Sequence, residues 1–245
     1  MKMNKGLFVI TMLATLFFTS CSEFNNIIKS GDYLYRYEAA KQYYADGKYT
    51  RAVVLLQDVI SVLKGTDKGE ESLYLLGISA YKARDYEAAA NFLKKYYETY
   101  TNGLYTQDAR FYNAMALYKN TPEPKLDQTE TYEAVTAFQN LLEIFPQSIY
   151  AKESQDMIFK LQDKLVEKEY LSAKTYFDLG SYFGNCNFGG NNYQACIITA
   201  ENAMRDYPYS KRREDFAIML LRVKYLLAVH SVESRKGERL DAAAE

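Results

Sequence analysis

Apolar and polar positions divide the chain into stretches of different rhythm. Lys2 and Lys5 lead into an apolar run from Leu7 to Phe18, interrupted by Thr11 and Thr15 and ended by Thr19, Ser20 and Cys21. That run is short for a membrane span, which needs about 20 residues, and its charged, apolar, small-residue order is that of a secretory signal. Phe24 to Asp32 is polar, with Asn25-Asn26 and then Ser30-Gly31-Asp32, and predicts a tether ending in a helix-start signal. From Tyr33 onward apolar residues return at three- and four-residue intervals, the period of helices with one buried face. The expected organisation is a signal peptide at 1–20, a tether at 21–32 and a helical domain over 33–245.

Small residues recur within the helical stretch at fixed distances. Ala40 is followed twelve positions later by Ala52 and four beyond by Leu56, and Gly77, Ala89 and Leu93 repeat the spacing. Ala134, Phe138 and Pro146 give its second half, as do Cys196, Ala200 and Pro208. Small side chains let helix backbones approach, and such a two-helix unit buries its apolar face by stacking on neighbours. The pattern resembles the tetratricopeptide repeat and implies an all-α, helical-hairpin solenoid of about five irregular repeats, a superhelical domain. Tyr49, Tyr86 and Tyr193 each stand three residues before the second small position, where they would cap the hairpin turn.

The period is uneven: the second small positions, 52, 89, 134 and 196, lie 37, 45 and 62 residues apart instead of about 34. Thr121-Pro122-Glu123-Pro124 breaks the third unit and Gly184 to Asn192 the fourth. Between them Ile149 to Phe177 has no breaker and predicts one long helix. A fifth unit is expected to open near Lys211 with a helix to about Arg235. Its second helix would begin where the chain stops, so the C-terminal repeat is expected to be incomplete.

Composition narrows the functional classes. Gly 12 and Pro 4 supply too few turn residues for an all-β fold. Lys+Arg 30 against Asp+Glu 31 leaves no basic excess for a phosphate backbone, so nucleic acid is not an expected partner. One His and three Cys are too few for a zinc site or a His-dependent triad. With no phosphate-binding glycine loop or nucleophile elbow, no enzyme activity, cofactor or metal is expected. Cys196 stands at a close-packing position as a small core residue, while Cys186, ten residues earlier, leaves a disulfide between them open. His230 reads as a plain helical residue, and Lys211-Arg212-Arg213 beside Glu214-Asp215 as a solvated helix start. The unusual content is aromatic: 24 Tyr and 13 Phe with no Trp.

The small residues before Cys21 resemble the bacterial lipobox, in which cleavage leaves that cysteine as the lipidated first residue. Phe18 stands where that pattern usually has Leu; an ordinary signal peptide with a coincidental Cys is the alternative. Ser22 replaces the Asp that resembles an inner-membrane retention signal, and Glu23 is the only acid nearby. These features imply an outer-membrane anchor with the folded part facing the periplasm.

Three stretches, Tyr35-Arg-Tyr-Glu-Ala-Ala-Lys-Gln-Tyr-Tyr44, Leu161-Gln-Asp-Lys-Leu-Val-Glu-Lys-Glu-Tyr170 and Arg205-Asp-Tyr-Pro-Tyr-Ser210, make the chain resemble the BamD family of β-barrel assembly lipoproteins. The insertion at Phe183 to Gly190 departs from it. The resemblance implies a non-enzymatic scaffold that binds a BamA-like barrel protein through units four and five, sits with other BAM lipoproteins, and receives unfolded outer-membrane proteins by their C-terminal strand. A glycan-capturing lipoprotein of the SusD type, or another tetratricopeptide envelope adaptor, shares the anchor and helical repeats. The SusD type prefers Trp and a much longer chain.

The positions three before and four after the first small residue lie on one helix face. They are Tyr37 and Tyr44, Tyr74 and Tyr81, Phe111 and Tyr118, and Tyr170 and Phe177, every one aromatic. Two readings stay open: the rings line a peptide groove, or they wedge between neighbouring units as core. On the first reading Tyr37, Tyr44, Tyr74, Tyr81, Phe111 and Tyr118 are the peptide-binding candidates, and rigid rings give contact area at low entropic loss.

Overall fold

The computed structural model describes residues 23–180, 182 and 191–244. The signal segment, Cys21, Cys186 and the insertion at 183–190 lie outside the described residues. Among the described residues there are helices and no strand. Residues 23–29 form α1. The chain continues through α2 (Tyr33–Ala45), α3 (Tyr49–Leu63), α4 (Gly69–Lys82), α5 (Tyr86–Thr99) and α6 (Thr106–Asn120). Then come α7 (Thr129–Ile144), α8 (Ala151–Leu179), α9 (Asn192–Asp206), α10 (Arg213–Val229) and α11 (Glu233–Ala244). The fold is all-α and tetratricopeptide-like, with helices packing on their chain neighbours as hairpins, α2 on α3, α4 on α5, α8 on α9 and α10 on α11. None of the described helices is long and apolar enough to cross a membrane.

Two compact units can be separated. The first runs to Asn120 and takes in Glu143–Ser148; the second takes Thr121–Leu142 and everything from Ile149. In the first unit α2 pairs with α3 and α4 with α5, while α6 packs on α5 and α4. Asp32 caps α2, its carboxylate accepting from the Leu34 and Tyr35 amides at 2.9 and 3.0 Å, as the helix-start signal predicts. The α2–α3 and α4–α5 turns share one hydrogen-bond scheme. Gly47 N–H donates to Tyr44 O and Lys48 N–H to Tyr43 O, just as Arg84 N–H donates to Tyr81 O and Asp85 N–H to Ala80 O. The middle residue of this helix-ending motif is left-handed: Gly47 at φ 74 and Arg84 at φ 66.

The small-residue spacing is a close-packing lock. Ala40, Ala52, Ala89, Ala134, Cys196 and Ala200 are fully buried, together with Leu56, Leu93 and Phe138. At Gly77 a Cβ would lie 2.7 Å from Leu93 Cγ and Cδ2, so the smallest residue of the second hairpin faces the largest apolar residue of its own signature.

Two expected helix bounds need correction, and the stretch read as a tether contains a helix. Within the stretch 21–32 read as a tether, residues 23–29 are helical. Phe24, Ile27 and Ile28 fall on one face, Ile27 is buried, and the Phe24 ring meets the Tyr43 ring edge-on at 5.5 Å. In the second unit the long helix is present as α8, 29 residues, or about 43 Å at 1.5 Å per residue. Further on, α10 stops at Val229 and does not reach Arg235. His230 N–H still donates to Leu226 O in the helical pattern, but the Ser231 N–H turns to Ala228 O, three residues back, and the Ser231 hydroxyl donates to Leu227 O in place of its own amide, local bonding that competes with helix continuation. The second helix of the fifth unit is already established as α11, not merely starting at the last residues.

Candidate functional site

The candidate aromatics of the first unit fall into two clusters, one toward each end of α2, α4 and α6. Near the helix starts, Tyr37 is 1% exposed and donates its hydroxyl proton to Glu71, whose carboxylate also pairs with Lys41 at 3.0 Å. Tyr74 stacks on Tyr105 with centroids 4.3 Å apart and planes 4° from parallel, and meets the Tyr96 ring edge-on at 5.7 Å. Tyr96 is fully buried. Its hydroxyl donates to Glu70 at 2.5 Å and accepts from the Tyr105 amide at 3.0 Å, while Glu70 also accepts from the Leu104 amide at 2.6 Å. Gly103 sits against this junction, where a Cβ would lie 2.6 Å from both the Tyr96 hydroxyl and a Glu70 oxygen.

Near the helix ends, Tyr44 meets Tyr49 at 5.6 Å and Tyr81 meets Tyr86 at 5.6 Å, both edge-on. The ring four residues after the small position is thus clasped by the ring that opens the second helix, in two successive hairpins. Tyr81 also contacts Tyr112 at 5.2 Å, and Tyr112 contacts Phe111 at 5.3 Å. Phe111 is buried, whereas Tyr44, Tyr74, Tyr81 and Tyr118 are partly exposed. Lys119 lies over the Tyr118 ring at 5.7 Å. In the second unit Tyr170 meets Phe216 edge-on at 5.7 Å, and Phe177 packs partly buried around a core that includes Tyr193.

The electrostatics follow from burial and these contacts. Burial first, and then the bonded glutamates, push the Tyr37 and Tyr96 hydroxyls well above the ordinary tyrosine range, so both remain donors. Burial likewise raises Tyr44, with Tyr49 and Tyr112 beside it. The Tyr37 hydroxyl, and after it Lys41, hold the Glu71 carboxyl below the ordinary glutamate range, against a partial desolvation. Burial pushes the Cys196 thiol up to about 11, which keeps it protonated and inert. Among the described residues no cluster of His, Cys, Asp and Glu could hold a metal ion. The surface can stack rings and offer hydroxyls, carboxylates and lysine ammonium groups to an extended ligand.

Sequence reasoning missed Tyr96, Tyr105, Tyr112, Glu70 and Glu71. Tyr105 and Tyr112 carry the same seven-residue spacing as Tyr37/Tyr44 and Tyr74/Tyr81, so the signal was present six positions before Phe111 and Tyr118. Glu70 and Glu71 lie in the first turn of α4, where the helix dipole favours acids.

Comparison with known proteins places this arrangement in context. A curated protein of Aquifex aeolicus, which carries the provisional name outer membrane protein assembly factor BamD, is 26% identical over 171 residues. The match covers 69% of this chain and 56% of that relative, so the chain spans little more than half of the relative's length. A crystal structure from Bacteroides ovatus, provisionally described as a protein binding protein, shares 12% identity. The alignment takes in 87% of this chain and 96% of that one, with a TM-score of 0.34, too loose a superposition to carry an argument. The family model described as YfiO, outer membrane lipoprotein, matches residues 32–189, well over half of the chain and all of the helices that carry the two tyrosine clusters. The chain therefore belongs to the YfiO family of outer membrane lipoproteins.

Proposed function

We propose that the chain is a non-enzymatic scaffold of the β-barrel assembly machinery, lipid-anchored through Cys21 to the outer membrane and facing the periplasm. It binds a BamA-like barrel protein and receives unfolded outer-membrane proteins. The observation that carries this reading is membership of the outer membrane lipoprotein family over residues 32–189. The lipobox-like end of the secretory signal supports the anchor. Affinity purification from envelope extracts is expected to recover a BamA-like barrel protein, and its consistent absence overturns the reading. Cys21→Ser is expected to move the protein from the membrane fraction to the soluble periplasm, because each buried acyl methylene contributes about 0.8 kcal/mol to anchoring.

The receiving surface is the aromatic face of α2, α4 and α6. The partly exposed rings of Tyr44, Tyr74, Tyr81 and Tyr118 make contact with the client, while buried Tyr37 and Phe111 support them from beneath. A barrel strand presents rings on one side of alternating residues, and a row of tyrosines takes such rings without fixed register. Tyr44→Ala combined with Tyr81→Ala is expected to weaken binding of a C-terminal strand peptide by about tenfold or more. Normal binding by the folded double variant refutes the groove, and unfolding assigns these rings to the core.

A further inference from the structure

The second unit contains a cleft of about 580 Å3 between α8 and the α9–α10 turn, in the range that holds a drug-sized group or a few side chains. On α8 it is lined by Phe159, Asp163 and Val166, and from the turn by Asp206, Tyr207 and Tyr209. Two of the stretches that carry the family resemblance, 161–170 and 205–210, meet here. The walls are pinned. Arg212 donates to Glu167 at 2.5 Å and to Asp215 at 3.0 Å, and its own amide donates to the Ser210 hydroxyl at 3.1 Å. The Tyr207 hydroxyl is tied to Tyr132. The rings at the opening are not covered: Phe159 is 57% exposed and Tyr209 99%.

Next to the cleft the protein already fills an equivalent arrangement with its own side chain. The Arg212 guanidinium lies 4.1 Å over the Tyr170 ring while it pairs with Glu167, so ring and carboxylate of α8 together hold an arginine. Earlier on α8 a second ring and carboxylate line the cleft in the opposite order along the helix, Phe159 about three turns before Tyr170 and Asp163 about one turn before Glu167, and the turn adds Tyr209 and Asp206. The cation already there, Lys211, is 3.7 Å from Asp163 with its side chain 89% exposed, and Arg205 on Asp206 is also mostly exposed; such solvated surface pairs are weak and yield readily. The helix α9 ends at Asp206, directing the negative end of its dipole to the same wall.

We propose that this cleft binds an arginine-bearing segment of a partner protein, the guanidinium stacked on Tyr209 and Phe159 and paired with Asp206 and Asp163. Arginine suits the site better than lysine because its planar fork both stacks on rings and pairs with carboxylates. The site is independent of the aromatic face of the first unit, and its test does not depend on the anchor or on a BamA-like protein.

The test uses the folded chain and short fluorescein-labelled peptides with a central Leu-Arg-Leu, Leu-Lys-Leu, Leu-Gln-Leu or Leu-Glu-Leu, followed by anisotropy. Affinity is expected to fall in that order, with the arginine peptide about tenfold tighter than the glutamine peptide. Tyr209→Ala removes a ring that supports nothing in the fold and is expected to weaken the arginine peptide about tenfold. Asp206→Asn is expected to narrow the gap between arginine and glutamine peptides. Equal binding of those two peptides by the unaltered chain, no measurable binding of any peptide, or unchanged binding by Tyr209→Ala overturns the proposal.

Discussion

Removing one oxygen from the first unit tests whether its tyrosine network holds the fold together. In Tyr96→Phe the fully buried ring keeps its packing, but two hydrogen bonds disappear. The Tyr105 amide loses its acceptor and Glu70 loses one of its two close donors. A backbone N–H stranded away from water costs about 1–3 kcal/mol, and a hydrogen bond to a carboxylate is worth about 1.5–3 kcal/mol when well shielded. Glu70 is partly exposed and recovers water, and phenylalanine is more easily desolvated than tyrosine. These offsets bring the expected loss to about 2 kcal/mol, or about 8–10 °C in midpoint for a unit of this size. Urea unfolding followed by circular dichroism measures the shift. Because two units need not unfold together, amide exchange at Leu104 and Tyr105 locates it. A change below about 0.5 kcal/mol, with the Tyr105 amide as protected as before, refutes the role assigned to the Tyr96 hydroxyl.

Other perturbations follow from the same geometry. Gly77→Val places carbon where Leu93 already lies 2.7 Å away, and overpacking there is expected to destabilise the chain by about 2–3 kcal/mol despite the better helix propensity of valine; denaturant midpoints read it, and a neutral result means the two helices do not approach as closely as described. Because the folded protein holds the Glu71 carboxyl below its ordinary value of 4.5, its contribution is present above that pH and is lost as pH falls through the depressed value. Glu71→Gln and Tyr37→Phe are therefore each expected to flatten the acid limb of a stability-against-pH curve, and an unaltered slope in both variants would count against the Tyr37–Glu71 bond.

How far the sequence could be read depended on whether a feature is local to one helix. The twelve-residue separation of Ala40 from Ala52 and of Gly77 from Ala89 sets where two neighbouring helices touch, so the hairpins were legible, and the breaker-free stretch from Ile149 gave α8 to within two residues. Which rings end up covered was not legible, because Tyr105 and Tyr112 supply the covering from a different helix and no period within α2 or α4 encodes them. The short α1 was obscured by Asn25, Asn26 and Lys29 around its three apolar residues. The end of α10 has no Gly or Pro to announce it and is made by Ser231, whose amide and hydroxyl both bond back to the helix's last turn. The Tyr96–Glu70 junction is a side-chain contact across 26 positions, visible only once three helices are assembled.

The two matched turns of the first unit differ in how much strain they hold. Gly47 adopts its left-handed conformation freely, but Arg84 at φ 66 has its Cβ crowded against its own backbone, a penalty of about 1–2 kcal/mol per residue. Arg84→Gly removes the crowding while loosening the unfolded chain by about 0.4–1 kcal/mol, leaving a net gain of about 0.5–1 kcal/mol. A chain carrying that glycine would have more margin above its folding threshold. In such a background, damaging substitutions in the tyrosine clusters could be examined for ligand binding without first losing the fold that presents them.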